Sequence, residues 1–390
     1  MYRTNLDINT ILDQPPFKAF DDKVVNFLSN LSVRIMNQTG LRKFPDLASF
    51  GFFIRKSNLQ HIEKLHKKEN DCHIGLGTAF HIAPSNVPLN FAYSLVTAIL
   101  CGNPSIVRIS SKKFEQSELL IRLINEELNN GSYQPFFTLL QYSHDDELNN
   151  KLSYECRLRL IWGGDNTIKS FKSMNVKANV LDITFPDKYS ISLIDACYYN
   201  ETADFRNVAL KFYNDVYTFD QNACTSPRGV FWLGKEIDVI KAQKKFWDVL
   251  ANIIIHKNYM PNTGAGVRRL NSIVKFAAQD KIINSDICPQ IGMNVLDIKN
   301  GEAELFSEHS GEGLFYQKRI KCLDELRVFV NEKCQTLSVF SDQKMQIIDW
   351  VVNSRLTGID RVCDVGKTSE FSFNWDGKSL FNLMTKNIAS

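Results

Sequence analysis

No uninterrupted apolar run in the chain approaches the roughly eighteen residues that a spanning helix needs. Its start, "MYRTNLDINTILDQPPF", lacks an apolar segment behind a basic one. Neither a membrane span nor a secretory leader is expected. An excess of one charge is also missing: 46 basic residues against 43 acidic leave a formal net charge of +3 over 390 residues. That balance provides no basic field of the kind that recruits nucleic acid. Cysteine is not scarce, yet the nine cysteines are odd in number, widely spaced and without a CxxC pair. A disulfide framework and a zinc site are both disfavoured, so no metal is expected and the thiols read as those of a cytoplasmic protein. The dinucleotide fingerprint GxGxxG is absent too; Gly75 and Gly77 form a GxG with no third glycine.

What is present is a globular composition, 44% hydrophobic and 23% charged, in a chain too long for one ordinary core. Val24, Phe27, Leu28, Leu31 and Ile35 repeat at helical spacing near the start. "IGLGTAFHI" places Ile74, Leu76, Phe80 and Ile82 at period two and predicts one strand, with a helix behind it entered through prolines. "SIVRI", a helix over 114–130 stopped by Asn-Asn-Gly, "FFTLLQY", "RLRLIW" and "ANVLDITF" continue the alternation. Strand and helix in turn mean a doubly wound parallel sheet. A second such series begins near Ile191 and includes "GVFWL", a helix over 239–255, "TLSVF" and a helix over 343–352. The domain boundary is placed near residue 190, giving domains 1–190 and 191–390, with a tail able to pack back on the first.

Ligands of such sheets bind at the carboxyl ends of strands, which directs attention to "HIAPSNVPLN", "VRISSK" and "IWGGDN". To these is added "QNACTSPR", which sets Cys224 in a polar stretch. Cys101, Cys197 and Cys334 lie in apolar or helical runs, where buried packing is the expectation. Ser85 and Asn86 are suited to capping the helix that follows them.

Taken together, "FHIAPSNVPLNFAYSL", "GNPSIVRISSK", "IWGGD", "QNACTSPR" and "GIDRVCDVGKTSEFSFNWDG" resemble the LuxC family of acyl-CoA reductases, within the aldehyde dehydrogenase superfamily. The phrases run from about residue 74 to residue 377. The resemblance implies an α/β, aldehyde-dehydrogenase-like fold: a Rossmann-like NADP(H)-binding domain followed by an α/β catalytic domain. It implies that Cys224 is the nucleophile that takes an acyl group, and that Asn86 donates its amide to the oxyanion. A neutral donor of that kind is worth about 3 to 4 kcal/mol of barrier. Arg108 stands where the superfamily has a lysine, and Ser111 where it has a glutamate that would repel a 2′-phosphate. With Lys112 adding charge, NADPH is favoured over NADH. Gly163 and Gly164 match the turn beside the pyrophosphate, with Asp165 a cap for the next helix. Glu312 corresponds, one residue out of register, to a glutamate on the nicotinamide ribose. His309 reads as structural or as an acid/base, and "NTGAGVRRLNS" as a phosphate loop or a surface turn.

Two departures concern the nucleophile. One extra residue separates Gln221 from Cys224, and Asp220, if it pointed inward, would raise the thiol and require a compensating dipole or cation. An absence is also telling: the glutamate that activates water in hydrolytic relatives is missing from "TFPDKYS", residues 184–190. The implied reaction is reduction of an acyl-CoA or acyl-protein thioester to the aldehyde. Partners are the acyl donor and an acyl-protein synthetase or transferase, and a homo-oligomer is expected. The rival readings are an NAD(P)-dependent aldehyde dehydrogenase and a non-catalytic acyl-binding subunit of an acyl-transfer complex.

Overall fold

A computed structural model describes residues 3–4, 7–67, 72–131, 133, 136–143, 145–288, 292–299, 303–307 and 309–388. The chain divides into two compact units, residues 1–187 with 371–390, and residues 188–370.

The first unit is built on five parallel strands in the spatial order Phe137–Leu140, Ser105–Arg108, Ala79–Ile82, Leu158–Trp162, Leu181–Phe185. Numbered along the chain this is 3-2-1-4-5, so the winding reverses between Ala79–Ile82 and Leu158–Trp162. Such a switch point leaves a crevice at the strands' carboxyl ends. Four of the five strands are buried along nearly their whole length, as expected of parallel strands covered on both faces. The single strand predicted over "IGLGTAFHI" is two, His73–Gly75 and Ala79–Ile82. Gly77 takes φ +135° at the break, and the Leu76 and Gly77 amides donate to the buried Asn103 side chain instead of a ladder. His73–Gly75 pairs antiparallel with Thr385–Asn387, and Asn103 also donates to the Met384 carbonyl. Asn103 of "GNPS" therefore serves the fold, joining the first strands to the chain's last helix.

The second unit has a seven-stranded sheet in the order Arg361–Asp364, Cys334–Phe340, Tyr189–Asp195, Pro227–Leu233, Leu314–Ile320, Met293–Ile298, Ile282–Cys288. Only the last pair is antiparallel. Tyr199, Phe212, Trp232, Phe246, Trp247 and Phe315 pack on one face, mostly edge to face. The helix Phe205–Tyr217 carries Asp215, which is 1% exposed. Its carboxylate accepts from the amides of Gly366 (2.6 Å) and Thr368 (3.1 Å), while its carbonyl accepts from the Ser226 hydroxyl. Arg361 closes the same loop by donating to the Lys367, Thr368 and Glu370 carbonyls. The long tail phrase is thus shared between units. "GIDRVCDVGKTSE" belongs to the second, whereas Phe373 and Phe381 pack against Phe20 in the first.

Candidate active site

Cys224 lies in the connection between the helix Phe205–Tyr217 and the strand Pro227–Leu233. The turn before it is strained: Asp220 and Gln221 have φ of 51° and 58°, in the left-handed region that costs side-chain-bearing residues of order 1–3 kcal/mol each. Buried hydrogen bonds hold it there. The Gln221 amide is 1% exposed, donates to the Pro227 and Leu314 carbonyls (both 2.9 Å), and accepts from the Gly313 N–H (2.9 Å). The opposing turn is also left-handed, at Gly311, Glu312 and Gly313, and the Glu312 N–H donates to the Asp220 carbonyl at 2.8 Å. A Cβ on Gly313 would come within 2.0 Å of the Gly292 carbonyl oxygen, so only glycine fits.

The Asp220 carboxylate accepts from the Tyr259 hydroxyl (2.8 Å) and the Asn262 amide (3.0 Å). Neutral donors therefore occupy both of its oxygens. Glu312, 3% exposed, accepts from Arg268 through both oxygens (2.6 Å each from Nη2) and from Asn262 (3.3 Å). Arg269 donates to the Glu312 carbonyl at 2.6 Å. Within "NTGAGVRRLNS", the phrase expected to be a phosphate loop or a surface turn, Asn262, Arg268 and Arg269 thus brace the turn that faces the Cys224 loop. His309 accepts from the Gly311 amide with Nδ1 and donates from Nε2 to the Leu314 carbonyl. Burial, then the nearby Arg228, depresses it to about 3, so it is a neutral structural imidazole.

Cys224 itself is half-buried. Its carbonyl accepts from the Ser190 hydroxyl at 2.7 Å, and its sulfur accepts from the Gln335 amide at 3.3 Å. Ser190 is the last residue of the "TFPDKYS" segment that lacks the glutamate. Two irregularities meet there. Gln335 and Thr336 together face Ser190 where Cys334 pairs with Tyr189 and Leu337 with Ile191; Arg228 is extra where Ser190 pairs with Pro227 and Ile191 with Gly229. Bulges of this kind re-aim side chains. The phrase "TLSVF" starts at Thr336, two residues inside this strand, and leaves Gln335 out. Period-two patterning carries no signal for a register shift.

The other thiols differ. Cys101 and Cys334 are buried as expected, and burial pushes Cys101 up and Cys334 up to about 12. Cys156 is also raised to about 12 by burial. Cys197 overturns its expectation: it is exposed on the helix Ala196–Glu201, where it donates toward Glu201, whose carboxylate raises the thiol.

In the first unit the predicted residues lie at the carboxyl ends of three adjacent strands, two of which flank the switch point. Asn86 is exposed, between Ala79–Ile82 and the helix Asn90–Leu100. The capping position is Leu89, with no side-chain cap, so neither Ser85 nor Asn86 caps this helix. The same loop forms one wall of a small open cleft, through Ala83, Val87 and Pro88; Ser110, Lys112 and Glu118 line the other side. Glu118 is paired with Arg3. Arg108 ends its strand with the guanidinium 4.9 Å from the centre of the Tyr142 ring, and Ser111 and Lys112 are exposed just beyond. Gly163 and Gly164 follow the neighbouring strand Leu158–Trp162. Gly164 itself is the N-cap of the helix Asp165–Lys172, correcting the capping role given to Asp165, and a Cβ there would meet nothing within 4 Å. The residues Asn86, Arg108 to Lys112 and Gly163 to Gly164 thus share the carboxyl end of one sheet, while Cys224 and Glu312 are joined in the second unit through Asp220 and Gln221.

Among the described residues no helix is long and apolar enough to cross a membrane. Solved structures similar to this chain are aldehyde dehydrogenases. A 1-pyrroline-5-carboxylate dehydrogenase from Thermus thermophilus superposes with a TM-score of 0.67 at 12% identity, covering 98% of this chain and 82% of the other. A Thermus 1-pyrroline-5-carboxylate dehydrogenase with bound NAD gives 0.65 at 12%, with the same coverage. These likenesses establish the aldehyde-dehydrogenase-like α/β fold. In sequence, the chain is 27% identical over 209 residues to a long-chain acyl-protein thioester reductase 2 from Photobacterium leiognathi, covering 53% of this chain and 40% of that one. It is 22% identical over 343 residues to the long-chain acyl-protein thioester reductase of Aliivibrio fischeri, covering 82% and 68%. Residues 12–264 match the acyl-CoA reductase (LuxC) family, and the chain belongs to it.

Proposed function

We propose that this protein reduces an acyl thioester, acyl-CoA or acyl-protein, to the aldehyde through an S-acyl intermediate on Cys224. The observation that carries the reading is the contrast among thiols. Cys101, Cys156 and Cys334 are buried and raised, whereas Cys224 is half-buried in a strained, hydrogen-bonded loop with an amide donor on its sulfur. Thiolate attack on a thioester exchanges one C–S bond for another at little cost, which suits cysteine as the acyl carrier. The Cys224 thiolate forms the new bond to the acyl carbon and the donor thiolate leaves. Asn86 and the Cys224 backbone amide are assigned to the oxyanion on the strength of the family resemblance. When bound, a nicotinamide cofactor supplies the hydride that turns the acyl carbon into an aldehyde, and the C–S bond breaks to restore the thiolate.

The residues of the first unit suit such a cofactor. Gly164 leaves open space at a helix start, and a separate small cleft between the loops after Ala79–Ile82 and Ser105–Arg108 is lined by Ser110 and Lys112. Arg108, Ser111 and Lys112 favour the 2′-phosphate of NADPH, and Glu118, the acid in that cleft, is neutralised by Arg3. Glu312 is assigned to the nicotinamide ribose by resemblance, and Arg268 holds its carboxylate in place. In "TFPDKYS" the single carboxylate, Asp187, is exposed, and Lys188 is paired with Asp360. No buried base from this segment activates water against the acyl-enzyme, which favours reduction over hydrolysis. The reading carries with it a cytoplasmic homo-oligomer and, for a protein donor, an acyl-protein synthetase or transferase.

The test is a series of radiolabelled acyl-CoAs of graded chain length, assayed with NADPH and NADH. Thiol-sensitive label on Cys224 and aldehyde formed in step with NADPH oxidation are expected. Release of free acid from aldehyde faster than NADPH is consumed would make the protein an aldehyde dehydrogenase. Absence of label would leave only acyl binding, and equal use of NADH would remove the role given to Ser111.

A further inference from the structure

We infer that Gln335 is a positioning residue that holds the Cys224 sulfur as a thiolate, an inference that rests on the acyl-transfer reading above. The amide nitrogen stands 3.3 Å from the sulfur, within hydrogen-bond range for so large an acceptor. Gln335 is 3% exposed, so its amide cannot exchange this contact freely for water. A thiolate accepts such a bond far more strongly than a thiol, so the contact favours ionisation. The donor is neutral, and it leaves no uncompensated charge beside the sulfur once an acyl group has replaced the negative charge.

The backbone is shaped around this contact. In a regular parallel pairing one residue, not two, would separate the partners of Tyr189 and Ile191. Instead Gln335 and Thr336 share the place opposite Ser190. The Thr336 amide donates to the Ser190 hydroxyl at 3.2 Å, and that hydroxyl donates to the Cys224 carbonyl. The bulge therefore reaches Cys224 at two points, the Gln335 amide at the sulfur and Ser190 at the main chain. Parallel sheets seldom contain bulges, and those near reactive groups redirect a side chain.

The experiment follows alkylation of Cys224 by iodoacetamide against pH, reading the Cys224 peptide by mass spectrometry so that the exposed Cys72, Cys197 and Cys322 do not contribute. Wild type, Gln335→Leu, Gln335→Asn and Gln335→Glu are compared. Losing the donor should raise the midpoint by about one pH unit, so that alkylation near neutrality slows about tenfold while the high-pH plateau stays within about twofold. Gln335→Asn, one methylene shorter, should behave like Gln335→Leu, and Gln335→Glu should move the midpoint further up by placing a carboxylate there. If Gln335→Leu yields no soluble protein, Gln335→Asn carries the same two outcomes. A midpoint unchanged from wild type in whichever soluble variant is measured overturns the inference. Alkylation needs no acyl donor, so the two readings fail separately. Cys224 that takes acyl label while its midpoint ignores Gln335 removes the positioning role alone; a midpoint that moves without any acyl label removes the transfer reading alone.

Discussion

The two units place their candidate residues in opposite ways. In the first, Asn86, Ser111 and Lys112 are exposed on loops beyond the ends of short, deeply buried strands, and Gly164 faces open space. In the second, Cys224 is presented by a strained turn whose polar atoms are taken up by buried partners: Gln221, Ser190, Gln335 and the turn at Glu312. The difference fits the two kinds of work proposed for them. A ligand that must come and go is served by open loops at a switch point, whose backbone geometry follows from the winding of the sheet. A nucleophile must meet its substrate within a fraction of an ångström, and that precision comes from groups that cannot relax.

The comparison breaks most sharply at Cys224. Cys224→Ala should abolish acyl labelling and lower aldehyde formation on the order of 10³-fold or more, as loss of a covalent nucleophile does. Cofactor titration followed by tryptophan fluorescence should be unaffected, since the first unit's loops are untouched. A variant that keeps its turnover would move the chemistry away from this loop. Next comes Asn86→Ala. Its assigned role at the oxyanion predicts a fall of about 10²- to 10³-fold in kcat. Because Asn86 is exposed and does not cap its helix, the thermal midpoint should stay near that of wild type. Equal losses in stability and activity would make Asn86 a structural residue instead.

Gln221→Ala addresses the locked side of the comparison. It leaves the Gly313 N–H and the Pro227 carbonyl without their side-chain partner inside the unit, and the Leu314 carbonyl with His309 alone. A loss of about 2–4 kcal/mol is expected, within the usual cost of stranding buried polar groups. Urea unfolding measures it, and Cys224 labelling should slow even in conditions where the variant is folded. An unchanged midpoint would mean that the strained turn is held by other contacts.

How much of this could be read from the chain alone follows the same division. The alternating pattern sufficed for the first sheet because buried parallel strands are short apolar runs bounded by turn residues, as "SIVRI" and "RLRLIW" are. It erred at "IGLGTAFHI", where Gly77 breaks the strand and Asn103, twenty-six residues on, replaces the ladder. Cys224 and Asn86 stand out in the sequence as candidates only through the motifs around them. Gln335 and the pairing of Glu312 with Arg268 do not, because bulges, ion pairs and left-handed turns depend on segments distant in sequence. Asp220 shows the limit plainly: its neighbourhood in sequence suggests a charge against the thiol, whereas its carboxylate is held by Tyr259 and Asn262.

The smallest expected effect is a difference in how one buried carboxylate in each unit responds to pH. Burial raises Asp215 in the second unit to about 6, against bonds from Gly366 and Thr368 that pull it down. The unfolded chain titrates such a group near 3.8, so between these values the folded protein binds the proton more tightly. Unfolding then releases a proton, and this contribution is fully present below about 3.8 and lost as pH rises through 6. In the first unit Glu127 is pulled up by burial, but bonds from Arg34, Tyr133 and Asn30 outweigh that and leave it lowered. Its contribution is therefore present above the carboxyl's unfolded value and lost as pH falls. Urea unfolding of wild type, Asp215→Asn and Glu127→Gln between pH 4 and 7 separates the two. Relative to wild type, the Asp215→Asn difference should change across pH 4 to 6 by about 1–3 kcal/mol, with wild type losing its advantage toward higher pH. The Glu127→Gln difference should run the other way. Parallel slopes would mean that the Gly366 and Thr368 amides keep Asp215 ionised throughout, and the loop 366–368 would then be an anion-binding turn rather than the site of a buried, proton-sharing acid.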